Sequence, residues 1–158
     1  MNKLTALAIA IIALVAWVLV PDMIRSMHRS NQKRSMADIR TIAVAWESRA
    51  TDMKTYAVGA KHRDVEVKKS LDWSALTPVP AESLRRALEP TYVRAMPMND
   101  AWGRPFEFAV GDQSYAIRSF ERDGRADTNG IYKVAITNSF DADLVFANGS
   151  WIHFPDGI

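Results

Sequence analysis

Leu4-Thr5-Ala6-Leu7-Ala8-Ile9-Ala10-Ile11-Ile12-Ala13-Leu14-Val15-Ala16-Trp17-Val18-Leu19-Val20 is a run whose only polar side-chain atoms are the Thr5 hydroxyl and the Trp17 indole N–H. Beyond Pro21 the chain turns polar and charged, yet helical signals continue to about Asp52. Apolar residues fall at Met36, Ile39, Ile42, Ala43, Trp46, Ala50 and Met53. Spacings of three and four mark one helix face, while Arg40, Glu47, Arg49 and Asp52 fill other positions. The pattern predicts one helix in two solvents: an apolar half, then an amphipathic half whose stripe seats a head domain. A groove for a partner is the other use of such a stripe.

The apolar run has three readings. A cleaved signal peptide would fit Lys3 and the apolar stretch, but Val18-Leu19-Val20-Pro21-Asp22-Met23 offers no small-x-small cleavage site. A soluble core helix would carry a polar stripe, and this one has none. A retained membrane anchor fits best, although the run is at the short end for crossing a bilayer core. Pro21 would kink a helix or start a new one; near a membrane interface, helix on both sides is accommodated.

The chain has 158 residues, a net charge of +2 and no cysteine. Disulfides, thiolate metal sites and a cysteine nucleophile are therefore excluded. The charges are mixed along the chain, and outside the juxtamembrane stretch there is no concentrated basic face of the kind that nucleic-acid binding needs. Residues 1–54 are expected to form the anchor and stalk helix, and 55–158 a globular head with a single modest core.

Within the head, Thr55 to Pro80 gives a weak signal. Tyr56 to Lys69 reads as an irregular excursion, and Ser70-Leu71-Asp72-Trp73 as a further turn. A short helix is predicted from Ala81 to Leu88, ended by Pro90. Phe106–Val110 and Ser114–Phe120, joined by Gly111-Asp112-Gln113, read as a hairpin. Leu144–Ala147 and Trp151–Phe154 flank Asn148-Gly149, a pair suited to a type I′ turn. In the corner Met96 to Phe106, Pro97 stops the preceding segment and Gly103 lets the backbone turn. Trp102 is expected to lie on the helix seam as core, and Pro105 to start an edge strand.

No catalytic constellation is present. His28, His62 and His153 sit in separate regions, with His153 expected on an exposed strand face, and no serine sits in a nucleophile turn. One stretch could hold a cation. Asp123-Gly124-Arg125-Ala126-Asp127-Thr128-Asn129-Gly130 offers side-chain oxygens at four positions, and Asp141 and Asp143 follow. Calcium takes six to eight oxygens, so Asp123 and Asp127, with Asp141 and Asn129 behind them, are the candidate ligands. Arg125 breaks the EF-hand pattern, and a solvated Asp/Asn/Gly turn explains the same composition.

Four stretches carry a likeness. They are the apolar helix with Pro21 running into Arg34-Ser35-Met36-Ala37-Asp38-Ile39-Arg40-Thr41-Ile42 and Trp46-Glu47; Leu88-Glu89-Pro90 with Met96-Pro97-Met98-Asn99-Asp100-Ala101-Trp102-Gly103-Arg104-Pro105-Phe106; Tyr115-Ala116-Ile117-Arg118-Ser119-Phe120 leading to Arg122-Asp123-Gly124; and Asp141-Ala142-Asp143-Leu144-Val145 with Asn148-Gly149. The second resembles the pattern LP-x-x-D-x-WG-x-P-aromatic, and the third Y-x-(I/L)-x-S-x-G-x-DG. Together they resemble the type II secretion pseudopilins, nearest the major, G-type subunit.

That resemblance implies a pilin-like α+β fold, with a long N-terminal helix (transmembrane half plus amphipathic half) packed on a small antiparallel sheet. It implies a non-enzymatic, single-pass subunit of the bacterial inner membrane with its head in the periplasm, or the same subunit in an assembled fibre supporting protein secretion. Its partners would be itself, other pseudopilins, the inner-membrane secretion platform and the membrane, with no nucleic acid. Ca²⁺ in the C-terminal loop is a further implication. Two features pull the other way. Lys3 on one side of the run, against Arg25, Arg29, Lys33, Arg34 and Arg40 on the other, would by the positive-inside rule keep the head cytoplasmic. There is also no glycine for prepilin peptidase and no glutamate before Pro21. A membrane-tethered binding module that does not polymerise is the alternative.

Overall fold

The computed structural model describes residues 3–58, 70–111 and 113–156. Its first element, α1, is a single helix of 51 residues, Lys3–Met53, that passes unbroken through Pro21. Proline has no N–H, so the Trp17 carbonyl lacks its usual donor one turn on. The helix ends where Lys54 takes a left-handed φ of 61°.

Among the described side chains of α1, only those of its second half are buried. Met36, Ile39, Ile42, Ala43, Trp46 and Ala50 pack inward as their spacing predicts, joined by Ala45 and by the polar Gln32 and Ser35. Met53, the expected end of the stripe, is instead 57% exposed. The returning chain occupies that end of the seam. Trp46 Nε1 donates to the Tyr56 carbonyl at 2.9 Å, and the Arg49 guanidinium to that of Ala57 at 3.1 Å.

The head follows as β1 (Ser70–Asp72), a 3-10 turn (Trp73–Ala75), β2 (Thr77–Val79), α2 (Ala81–Leu88), β3 (Glu107–Val110), β4 (Tyr115–Ser119), β5 (Ile131–Lys133), β6 (Ala135–Thr137), β7 (Leu144–Ala147) and β8 (Ser150–Pro155). Six strands form one sheet in the order β2-β3-β4-β7-β8-β6, while β1 pairs with β5 separately. The architecture is α+β. All pairs are antiparallel except β6 with β8, which is parallel, so the sheet is not purely antiparallel as expected. That parallel pair is possible because the long connection from β6 through β7 returns the chain to the same edge.

Side chains alternate across the sheet. Tyr115 and Ile117 of β4 face the helices, with Trp46, Phe108, Leu84, Leu88 and Phe146. Ala116 points to the other face, with Leu71, Tyr132, Val145 and Ile152. Both faces are covered, which is why β4 and β7 are buried along their whole length. Trp46 is the hinge of the helix-side layer, its ring centroid 5.1 Å from Tyr115 and 6.3 Å, edge-on, from Phe108.

Both hairpins form as read, and Asn148 and Gly149 have the positive φ of a type I′ turn, 47° and 79°. Four three-residue strands escaped the sequence reading: β1, β2, β5 and β6. The segment after Pro105 is also not an edge, because β2, with Pro78 inside it, pairs outside β3. Most of the expected excursion, 59–69, lies outside the described residues, as does Asp112 of the first hairpin.

Truncation of the central tryptophan, Trp46→Ala, is expected to cost about 3–5 kcal/mol. Met53→Ala should stay within about 0.5 kcal/mol. Chemical denaturation of the two variants checks both values, and equal losses would refute this account of the seam.

Candidate functional site

Two regions could carry function: the uncovered half of α1 and the place where the head locks onto the buried half. Of the apolar run, the described large side chains Ile12, Leu14, Val15, Trp17, Leu19 and Val20 are all exposed, Trp17 by 78%. At 100° per residue these six lie all around the helix, so no single face is left polar. Met23, Ile24 and Met27 extend the exposed apolar surface past Pro21. Among the described residues, no helix is long and apolar enough to cross a membrane.

The head locks on through a buried polar junction. Asp100 Oδ1 accepts from the Trp102 and Arg104 N–H groups, both at 2.9 Å, which tightens the corner around Gly103. Its Oδ2 accepts from the Ser119 hydroxyl at 2.8 Å, and that hydroxyl accepts from the Glu121 N–H at 3.1 Å. The Ala101 N–H donates to Ser35 Oγ on α1 at 3.1 Å. Arg104 donates to the Glu121 carbonyl at 2.5 Å, and its guanidinium lies where a Cβ at position 124 would stand, which only glycine permits. The four stretches quoted above thus meet at one place: Ser35 from the first, Asp100 to Arg104 from the second, Ser119 and Gly124 from the third, and Asp143 from the fourth.

Glu121 is the anomaly of this junction. It is fully buried, at a left-handed φ of 50°. Among the described residues, neither carboxylate oxygen has a hydrogen bond of normal geometry, although Gln32 and Ser119 stand close enough to ease a charge slightly. Burial, then the nearby Asp100 and Asp143, push its pKa up to about 9, so it is protonated at neutral pH. Asp143, also fully buried, is pushed up to about 6, again chiefly by burial. Its Oδ2 accepts from the Tyr132 hydroxyl at 2.5 Å and from the Asp127 N–H at 3.1 Å. The sequence reading missed Glu121. The available signal was that it occupies the glycine position of the pattern S-x-G-x-DG.

The candidate calcium ligands are engaged elsewhere. Asp123 caps the Arg125 N–H at 3.0 Å, Asp127 accepts from the Asp143 N–H at 2.7 Å, and Asp141 forms a two-bond pair with Arg122 at 2.6 and 2.7 Å. Asn129 is exposed. Asp127 and Asp143 are brought together because the backbone N–H of each donates to the other's carboxylate, but no group of three or more His, Cys, Asp or Glu placed to hold a metal occurs among the described residues.

Two other expectations are corrected. Trp102 is half-buried, and the fully packed aromatic of its corner is Phe106, because the backbone turn at Gly103 points the latter inward. His153 is half-buried, with Nδ1 2.6 Å from the Asp143 carbonyl, since the bulge between β7 and β8 brings that carbonyl alongside it.

No protein-family model, curated protein or solved structure matches the chain.

The junction predicts a pH dependence. Glu121 binds its proton more tightly folded than unfolded, so stability is fullest below about pH 4.5 and falls as pH rises towards 9. The slope approaches at most about 1.4 kcal/mol per pH unit. Glu121→Gln is expected to flatten it, as measured by urea unfolding at pH 6.5 and 8.5; an unchanged slope would place the titration elsewhere.

Proposed function

We propose that the chain is a structural, non-enzymatic subunit with a pilin-like fold, of the kind that builds type II secretion pseudopili. The observation that carries this reading is one continuous helix, half seated in a head and half apolar in sequence, whose described apolar side chains point to every side with none of the described residues covering them. Such a surface needs lipid or other copies of the same helix. Parallel packing of residues 4–20 would bury it in a fibre, and a bilayer would bury it before assembly. Support comes also from the resemblance of the four stretches to the pseudopilins. In that setting the subunit sits in the bacterial inner membrane with a periplasmic head, and works with itself, other pseudopilins and the secretion platform.

One feature favours a second reading, a membrane-tethered module that does not polymerise. No glutamate lies in the apolar run to neutralise a neighbour's N-terminus during stacking. Electron microscopy of full-length protein, co-expressed with its neighbours and sheared from membranes, separates the two. Helical fibres with the N-terminal helices at their centre are expected. Monomers or small oligomers in detergent would favour the tether. The double variant Ile12→Asp/Leu19→Asp should lose both membrane sedimentation and fibres, each charge costing about 3 kcal/mol in the bilayer.

Calcium at Asp123, Asp127, Asn129 and Asp141 belongs to the same proposal and rests on the resemblance. It would have to exchange the Arg122–Asp141 pair for metal bonds. Millimolar calcium is expected to raise the melting temperature by about 3–5 °C over chelator, and Asp123→Ala to remove that gain. Identical melting curves with calcium and with chelator would dismiss the site.

A further inference from the structure

A groove of about 640 Å³ runs between α1 and the ends of β6 and β8. Three cations of α1 line it, Arg29, Lys33 and Arg40, all exposed, while Asp156 is its one acid. None of the three has an ion-pair partner among the described residues. Arg25, one turn before Arg29 on the same face but outside the groove, and Arg34, on another face, are paired with Asp22 and Asp38 at 4.0 Å. Arg40 lies 5.9 Å from the Trp151 ring centroid, a contact that leaves its donors free. Between the cations the lining is mixed: Met36 and Pro155 are buried and Phe140 half-buried, an apolar strip fixed by packing, with the polar Gln32, Thr137 and Asn138 beside it.

Arg29 and Arg40 are eleven positions apart, about 16 Å along the helix. That is the length of about five residues of extended chain. We propose that this groove binds an extended, acidic peptide segment of a partner protein. Its carboxylates would meet Arg29, Lys33 and Arg40, and an apolar side chain would sit between them on Met36 and Phe140. Guanidinium groups suit this task because their forked donors match a carboxylate.

Charge argues against a second copy as the occupant. Among the described residues the exposed acids stand singly: Asp22 is paired with Arg25, Asp52 accepts from Tyr92, Asp156 lines the groove itself, and Asp123 and Asp127 alternate with Arg122 and Arg125. Nucleic acid would want a longer run of cations than these three and more stacking faces than the one Phe140 ring in the wall. This inference stands apart from the secretion-subunit reading.

The test uses the full chain in detergent micelles and a fluorescein-labelled octapeptide of alternating glutamate and leucine, followed by fluorescence polarisation against empty micelles. Saturable binding is expected, weakened at least tenfold by Lys33→Glu/Arg40→Glu and unchanged by Arg34→Glu, which is exposed but off the groove. An octapeptide of alternating lysine and leucine should not bind. Four results would overturn the proposal: no saturation at millimolar peptide, equal loss in the Arg34→Glu variant, competition by duplex DNA or phosphatidylglycerol vesicles at matched charge, or self-association of the chain through the same three cations.

Discussion

A 51-residue helix is about 77 Å long, and a head of about a hundred residues is about 35 Å across. The head therefore cannot cover its own first element. Everything else in the structure is consistent with that mismatch. Where the head can reach, α1 is amphipathic, with polar residues outside and Trp46 at the centre of a packed layer. Where it cannot reach, the helix carries apolar side chains all round. The two halves obey the same rule, that apolar surface seeks cover, with different partners supplying it.

Seating a helix on a sheet with apolar contacts alone would leave it free to slide by a turn, because one heptad-like stripe resembles the next. The junction at Asp100 removes that freedom. The Ala101 N–H reaches Ser35 Oγ, a specific atom on a specific turn, and Gln32 donates to the Ser139 carbonyl at 3.4 Å three residues earlier. Hydrogen bonds of this kind add little net energy but penalise every register in which a buried group loses its partner. Glu121 shows the opposite case, a buried group whose satisfaction depends on holding a proton.

Much of the fold was legible because strong local signals agreed. Long helical periodicity, the Asn148-Gly149 turn and the two strand runs joined by Gly111-Asp112-Gln113 each specify one outcome. The three-residue strands were not legible, since a segment such as Thr77-Pro78-Val79 becomes a strand only because β3 offers it an edge. Met53 fitted the stripe, yet it is exposed because the chain from Lys54 to Ala57 folds back first, and no periodicity records that. The polar junction was half legible. Its serine and aspartates lie in the quoted stretches, but their convergence depends on how β4, β7 and the Gly103 corner meet in three dimensions. Glu121 could have been noticed as a side chain standing in a glycine's place, and its burial could not.

Pro21 divides α1 into two mechanical parts. With the Trp17 carbonyl unbonded within the helix, the rod is most compliant at that point. From Pro21 to Trp46 the helix rises about 38 Å, so each 10° of bend there swings the head sideways by about 7 Å. A head held on such a lever can be aimed over a wide arc while its own packing stays untouched.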